Sequence, residues 1–151
     1  MKKKHLYLLY MFAALFVWSC SDDLPDRGID DEDDDDDVVF DWNDAANLSS
    51  SALTSSFWNS GGQYFNTDNG GNTNFQYWPN AHALDVVIDA YERTGNQSYK
   101  TYIENWFVGV KARNGNTWNN DYYDDMEWIA LALLRAYKVT NDTKYKDEIG
   151  R

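Results

Sequence analysis

The stretch that most restricts how this chain can fold runs from Asn119 to Tyr137. Within it Ile129, Ala130, Leu131, Ala132, Leu133 and Leu134 are consecutive, and the first charge after them is Arg135. An amphipathic surface helix would interrupt such a run with charges, and a helix that is apolar on most sides is buried on most sides. Yet its leading turn carries Asp121, Asp124, Asp125 and Glu127 beside Tyr122, Tyr123 and Trp128. The sequence therefore predicts a nearly enclosed helix over Asp121–Val139 with an acidic, aromatic mouth at its N-terminal end.

Two readings of that mouth stand side by side. Acidic residues are favoured in a first helical turn, where they cap free N–H groups and oppose the positive end of the dipole, and Asp121 is a good N-cap candidate. Adjacent carboxylates repel, however, so Asp124 and Asp125 together exceed what capping needs. They also sit among aromatic rings, which sugar-binding sites use as flat apolar platforms with a polar edge.

The neighbouring segments read as helices too. Asp44 to Trp58 is a first helix with Leu48, Ala52 and Leu53 apolar. Asn59 to Pro79 is a long loop rich in Gly and Asn. Asn80 to Thr94 carries the stripe Leu84, Val87, Ile88 and Tyr91, and Gly95 ends it. Ser98 to Arg113 is a third helix. Asn114 to Asn120 is a second Gly/Asn loop, holding Trp118. A fifth helix starts at Asn141 or Asp142. There is no strand signal of useful length, so the expected class is all-α.

Residues 90–100, Ala-Tyr-Glu-Arg-Thr-Gly-Asn-Gln-Ser-Tyr-Lys, align with residues 136–146, Ala-Tyr-Lys-Val-Thr-Asn-Asp-Thr-Lys-Tyr-Lys, at an offset of 46. A helix pair repeated at that spacing suggests an array or closed ring of αα-hairpins. In such a ring the second and fourth helices share a register, and both are taken as inner. Subtracting 46 puts Trp78 level with Asp124 and His82 level with Trp128. The long, aromatic loops then lie at one end and the tight turns at the other, and ligands usually bind at the loop end. The mouth near Asp124 thus gathers Tyr77, Trp78, His82, Trp118, Asn119 and Tyr123. A hydrogen-bonded structural role for His82 is the competing reading.

The N-terminus reads as a targeting segment. Lys2, Lys3 and Lys4 form a basic region, and Leu6 to Trp18 is an apolar run too short for a comfortable membrane span. Val17-Trp18-Ser19-Cys20 is similar to a bacterial lipobox, which implies lipidation at Cys20 and residues 1–20 as a lipoprotein signal peptide. An ordinary secretory signal with an incidental cysteine is the alternative. Cys20 is the only cysteine, so intramolecular disulfides are excluded. Residues 21–37 hold eleven acidic residues and one arginine, an extended acidic linker that cannot bury enough apolar surface to fold. That linker and the basic leader account for most of the charge of −12, leaving −5 on residues 38–151. The start after Cys20, Ser-Asp-Asp, resembles surface-export signals of Bacteroidetes-type lipoproteins; a plain spacer is the other reading. The expected location is the bacterial envelope, lipid-anchored at the outer membrane, with the surface and periplasmic faces both open. One histidine in the mature chain and no cysteine cluster argue against structural zinc. The absence of a phosphate loop or basic stripe argues against nucleotide or nucleic-acid binding.

Tyr77-Trp78-Pro79-Asn80-Ala81-His82-Ala83-Leu84-Asp85, together with residues 122–137 around Asp124-Asp125, resembles glycoside hydrolase family 76. The resemblance implies an (α/α) toroid and a retaining endo-α-1,6-mannanase acting on fungal-type α-mannan, with no cofactor or metal. Asp124 is then similar to the nucleophile and Asp125 to the acid/base. A retaining pair stands about 5–5.5 Å apart, and neighbouring Cα atoms are about 3.8 Å apart. The helix dipole would keep one carboxylate ionised, while like-charge coupling would keep the other protonated. Six helix pairs at about 46 residues each need roughly 280 residues, whereas 114 follow the linker. The resemblance therefore implies the N-terminal part of the domain at 38–151, inactive alone. A surface lipoprotein that binds glycan without cleaving it is the alternative function.

Overall fold

A computed structural model describes residues 40–149 of the chain. The signal segment, Cys20 and the acidic linker lie outside the described residues. The order of elements is α1 (Trp42–Ser56), β1 (Trp58–Asn59), β2 (Tyr64–Phe65), α2 (Tyr77–Thr94), α3 (Gln97–Arg113), α4 (Tyr123–Thr140) and α5 (Thr143–Lys146).

Helix α1 starts two residues before the expected Asp44. The carboxylate of Asp41 accepts from the backbone N–H groups of Asn43 (2.8 Å) and Asp44 (3.2 Å) and so caps the helix. The long loop that follows is less open than its composition suggests. Trp58–Asn59 and Tyr64–Phe65 pair antiparallel, Trp58 opposite Phe65. This hairpin lies so close on α3 that a Cβ at Gly109 would meet the Gln63 carbonyl oxygen at 2.2 Å, so the approach needs glycine there. From the other side Asn80, buried in α2, accepts from the Phe65 N–H (2.8 Å) and donates to the Phe65 carbonyl (3.2 Å) and the Gln76 carbonyl (2.8 Å). A side-chain amide thereby does for Phe65 what a third strand would do.

Helix α2 begins at Tyr77, three residues before the expected Asn80. Pro79 sits inside the first turn, where its missing N–H has no intrahelical partner to lose. Gly95 ends α2 at φ 66°, and the next residue, Asn96, caps α3. Asn141 ends α4 at φ 57°, and Asp142 caps α5. The offset of 46 is therefore a repeat of structure: α2 and α4 are both 18 residues long, begin 46 apart, and end in the same left-handed cap. Thr94 and Thr140 donate to the Ala90 and Ala136 carbonyls at 2.6 and 2.7 Å.

The core lies between α2, α3 and α4 and is closed by Tyr145 of α5. Leu84, Val87 and Ile88 meet Ile103, Trp106 and Val110, and α4 contributes Ile129, Ala132, Leu133 and Ala136. These four occupy i, i+3, i+4 and i+7, so α4 is buried along one stripe rather than nearly all round. Leu131 is 53 % and Leu134 37 % exposed. Among the described residues nothing covers that face. Deeper along the α2–α4 seam, Arg135 holds Asp85 at 2.9 Å, Asp89, and Glu92 at 3.5 Å, which locks the two helices in register.

Candidate active site

The N-terminal ends of α2 and α4 are each entered from an irregular segment, 66–76 and 114–122, whereas the opposite ends are joined to α3 and α5 by two-residue turns. The loop face anticipated from the repeat is therefore real. Its floor is the first turn of α4. Tyr122, not Asp121, occupies the N-cap position, and no side chain caps the helix. The Asn120 side chain instead accepts from the Tyr122 N–H at 3.1 Å. Asp121 misses the cap because the chain is still bent there and becomes helical two residues later. The capping reading thus fails for Asp121 itself, and the positive end of α4 is left to the carboxylates of its own first turn, Asp124 and Asp125.

These two differ in surroundings. Asp124 is exposed, and Asp125 is half-buried on the next helical step. Burial first, and the charge of Asp124 second, push the Asp125 carboxyl above the ordinary aspartate value. Burial and the neighbouring charge both oppose ionisation of Asp125.

Around the pair the expected ligand-facing residues separate into three groups. Trp78 is half exposed, and its ring meets His82 edge-on at 5.5 Å; His82 in turn lies 4.7 Å from Trp128. This row joins α2 to α4 one turn along from Asp124. Trp128 belongs to it and was missing from the set of ligand-facing candidates, although the 46-residue register had already placed it level with His82. A second group, Trp118, Asn119 and Tyr123, borders a cavity of about 320 Å³ that continues along α4 to Glu148 and Ile149. Tyr123 is 83 % exposed there. Trp118 is only 8 % exposed: its indole stacks on Trp106 at 6.1 Å and leans on Phe107 at 5.4 Å, so it anchors its loop more than it offers a platform. Tyr77 departs furthest from expectation. It is 7 % exposed, and its hydroxyl donates to the Trp118 carbonyl at 2.6 Å, so it is inside the wall and not on it. Among the described residues no group of three or more His, Cys, Asp or Glu side chains is placed to hold a metal.

A half-buried carboxyl with a raised proton affinity, beside an exposed carboxylate and an aromatic row, can perform acid and base chemistry on an oxygen-rich, uncharged ligand. Comparison with known proteins gives that chemistry a family. The family model described as glycosyl hydrolase family 76 matches residues 41–148. The solved structure of an α-1,6-mannanase from Salegentibacter sp. HEL1_6 superposes with a TM-score of 0.68 at 46 % identity, covering 72 % of this chain and 32 % of that one. An inactive variant of that enzyme, with two consecutive aspartates changed to asparagine and α-1,6-mannotriose bound, matches at 44 % identity with a TM-score of 0.68, covering 72 % and 32 %. A protein from Listeria innocua matches at 34 % identity and a TM-score of 0.63, covering 73 % and 34 %. The chain thus spans about a third of the length of the structures it resembles. No curated protein matches it.

Proposed function

The chain belongs to glycosyl hydrolase family 76, and from that membership we propose that residues 40–149 supply the carboxylate pair of a retaining endo-α-1,6-mannanase with an (α/α) toroid fold. The observation that carries the proposal is geometric: two consecutive carboxylates, Asp124 and Asp125, stand in the uncapped first turn of α4, one turn from the aromatic row Trp78–His82–Trp128. In the first step the Asp124 carboxylate attacks the anomeric carbon of a mannosyl unit, while Asp125 gives its proton to the departing glycosidic oxygen. In the second, Asp125 takes a proton from water, and that water displaces Asp124 from the sugar. Each bond that forms is matched by one that breaks, and no metal is called upon. The uncapped N-terminus of α4 presents the positive end of the helix to the pair. The aromatic row from Trp78 to Trp128 offers apolar faces to sugar rings. An inactive relative that carries two altered consecutive aspartates and still holds α-1,6-mannotriose supports the assignment of the pair and of the substrate class.

The test is Asp124→Asn and Asp125→Asn in the complete domain, assayed on linear α-1,6-mannan. Each substitution should remove essentially all turnover while oligosaccharide binding survives. Wild-type-like turnover in either variant would refute that residue's role. The whole protein is proposed to sit on the bacterial envelope, lipid-anchored through Cys20 with residues 21–37 as tether. Cys20→Ala should release it from membranes, and protease shaving of intact cells would show whether it faces outward.

A further inference from the structure

The hydroxyl of Tyr77 is a buried polar group at the edge of the site that the chemistry above does not use. Its one bond crosses 41 residues of sequence, from the first turn of α2 to the carbonyl of Trp118. Trp118 lies in the loop that delivers the chain into α4. That loop is tied at two further points: the Trp118 indole is seated against Trp106 and Phe107 of α3, and the Asn114 amide donates to the Thr117 carbonyl (2.8 Å) and the Asn119 carbonyl (2.9 Å). No side chain caps α4, and these ties hold the loop just upstream of its first turn, the turn that carries Asp124 and Asp125.

We infer that Tyr77 is a positioning residue: by holding the Trp118 carbonyl it fixes the approach of the loop to α4, and so sets where the first turn of α4, with Asp124 and Asp125, stands against α2. The inference rests on the proposed role of that pair. Two titratable groups act on one another here. Asp124 raises Asp125 from the same helix, and Asp125 in turn, after burial, raises the phenol of Tyr77 across the α2–α4 contact. The Tyr77 phenol stays neutral across the working range, so its contribution is the bond and the exclusion of water, not a charge.

The experiment is Tyr77→Phe in the complete domain on linear α-1,6-mannan. The ring is kept and only the donor is lost. A small misplacement of a reacting group is costly, so kcat should fall by about tenfold or more while KM changes by less than about twofold. Water reaching Asp125 should also move the basic limb of the kcat profile to lower pH. A wild-type kcat and an unmoved basic limb would overturn the inference, whatever happens to the melting temperature. Asn114→Ala breaks another of the loop's ties and should shift kcat in the same direction, which keeps the question open to test if Tyr77→Phe folds poorly. If Asp124→Asn and Asp125→Asn both keep turnover, the reading of the pair falls and this inference with it. If they lose turnover while Tyr77→Phe behaves as wild type, only this inference falls.

Discussion

The imidazole of His82 and the indole of Trp128 lie 4.7 Å apart, centroid to centroid, although they are 46 residues apart in sequence. That separation equals the repeat, so the two rings occupy equivalent positions on successive inner helices. Such equivalence is what lets a helical array build a continuous aromatic wall: each helix contributes one ring at one height. Trp78 stands one repeat before Asp124, so the position that carries an indole in α2 carries a carboxylate in α4. The same lattice point carries a ring in one repeat and, in the proposed mechanism, the attacking carboxylate in the next.

Trp128→Ala should therefore weaken substrate more than it slows chemistry. Trp128 is 44 % exposed, so truncation leaves the core intact while removing an apolar face from the row. Affinity for mannooligosaccharides measured by calorimetry in an Asp124→Asn background is expected to fall on the order of tenfold, or about 1.4 kcal/mol. Undiminished affinity would show that the row is packing and not platform.

Asp125→Asn should stabilise the complete domain at neutral pH. The sign follows from linkage: the carboxyl proton affinity is higher in the folded state than the unperturbed 3.8, so the folded state gives up that proton less readily. Asp125 then favours folding at pH below 3.8 and loses that favour as pH rises through its folded value. An uncharged amide escapes the loss. Thermal melts should show the variant ahead of wild type at pH 7, with the gap closing as pH falls toward 3.8 and below. A variant less stable at pH 7 would contradict the raised value.

What could be read from sequence followed from periodicity. The helix pairs, the register of α2 and α4, and the loop face all derive from apolar spacing and an offset of 46, and such signals survive without knowledge of neighbours. What could not be read depended on partners distant in sequence. Tyr77 looks like any aromatic at a helix start, and only the fold brings Trp118 to its hydroxyl. Asp121 has the right chemistry for an N-cap, yet Tyr122 takes that place. The run Ile129–Leu134 implied burial on most sides, and two of its leucines are exposed because a helix face is buried only if something packs on it.

Asn80→Ala is expected to loosen the hairpin. Its amide satisfies both backbone groups of buried Phe65 and the Gln76 carbonyl, and at 1 % exposure no water replaces it. Stranding a buried donor or acceptor costs about 1–3 kcal/mol each. A loss of about 2–5 kcal/mol in denaturant melts should result, with faster amide exchange at Phe65 ahead of the helices. A loss below about 0.5 kcal/mol would mean the hairpin is held by α3 alone.

The exposed face of α4 yields a prediction whose sign depends on context. Ile88 of α2 is fully buried, and its equivalent 46 residues later is Leu134, 37 % exposed beside Leu131 at 53 %. In a repeating array the next inner helix would cover α4 as α4 covers α2. Residues 40–149 expressed alone should therefore bind hydrophobic dyes, associate at low concentration and show no mannanase activity. Replacing Leu131 and Leu134 with Glu should make that piece more soluble, because it removes apolar surface from water. The same pair of changes in the complete domain should be severely destabilising. Burying one such side chain is worth about 1.5–3 kcal/mol, and two lost burials rival the ~5–15 kcal/mol that holds a whole domain together. Solubility assays on the piece and melting of the complete domain would report the two signs. A double variant tolerated in both settings would mean that no helix packs on α4 there, and that the repeat does not continue past it.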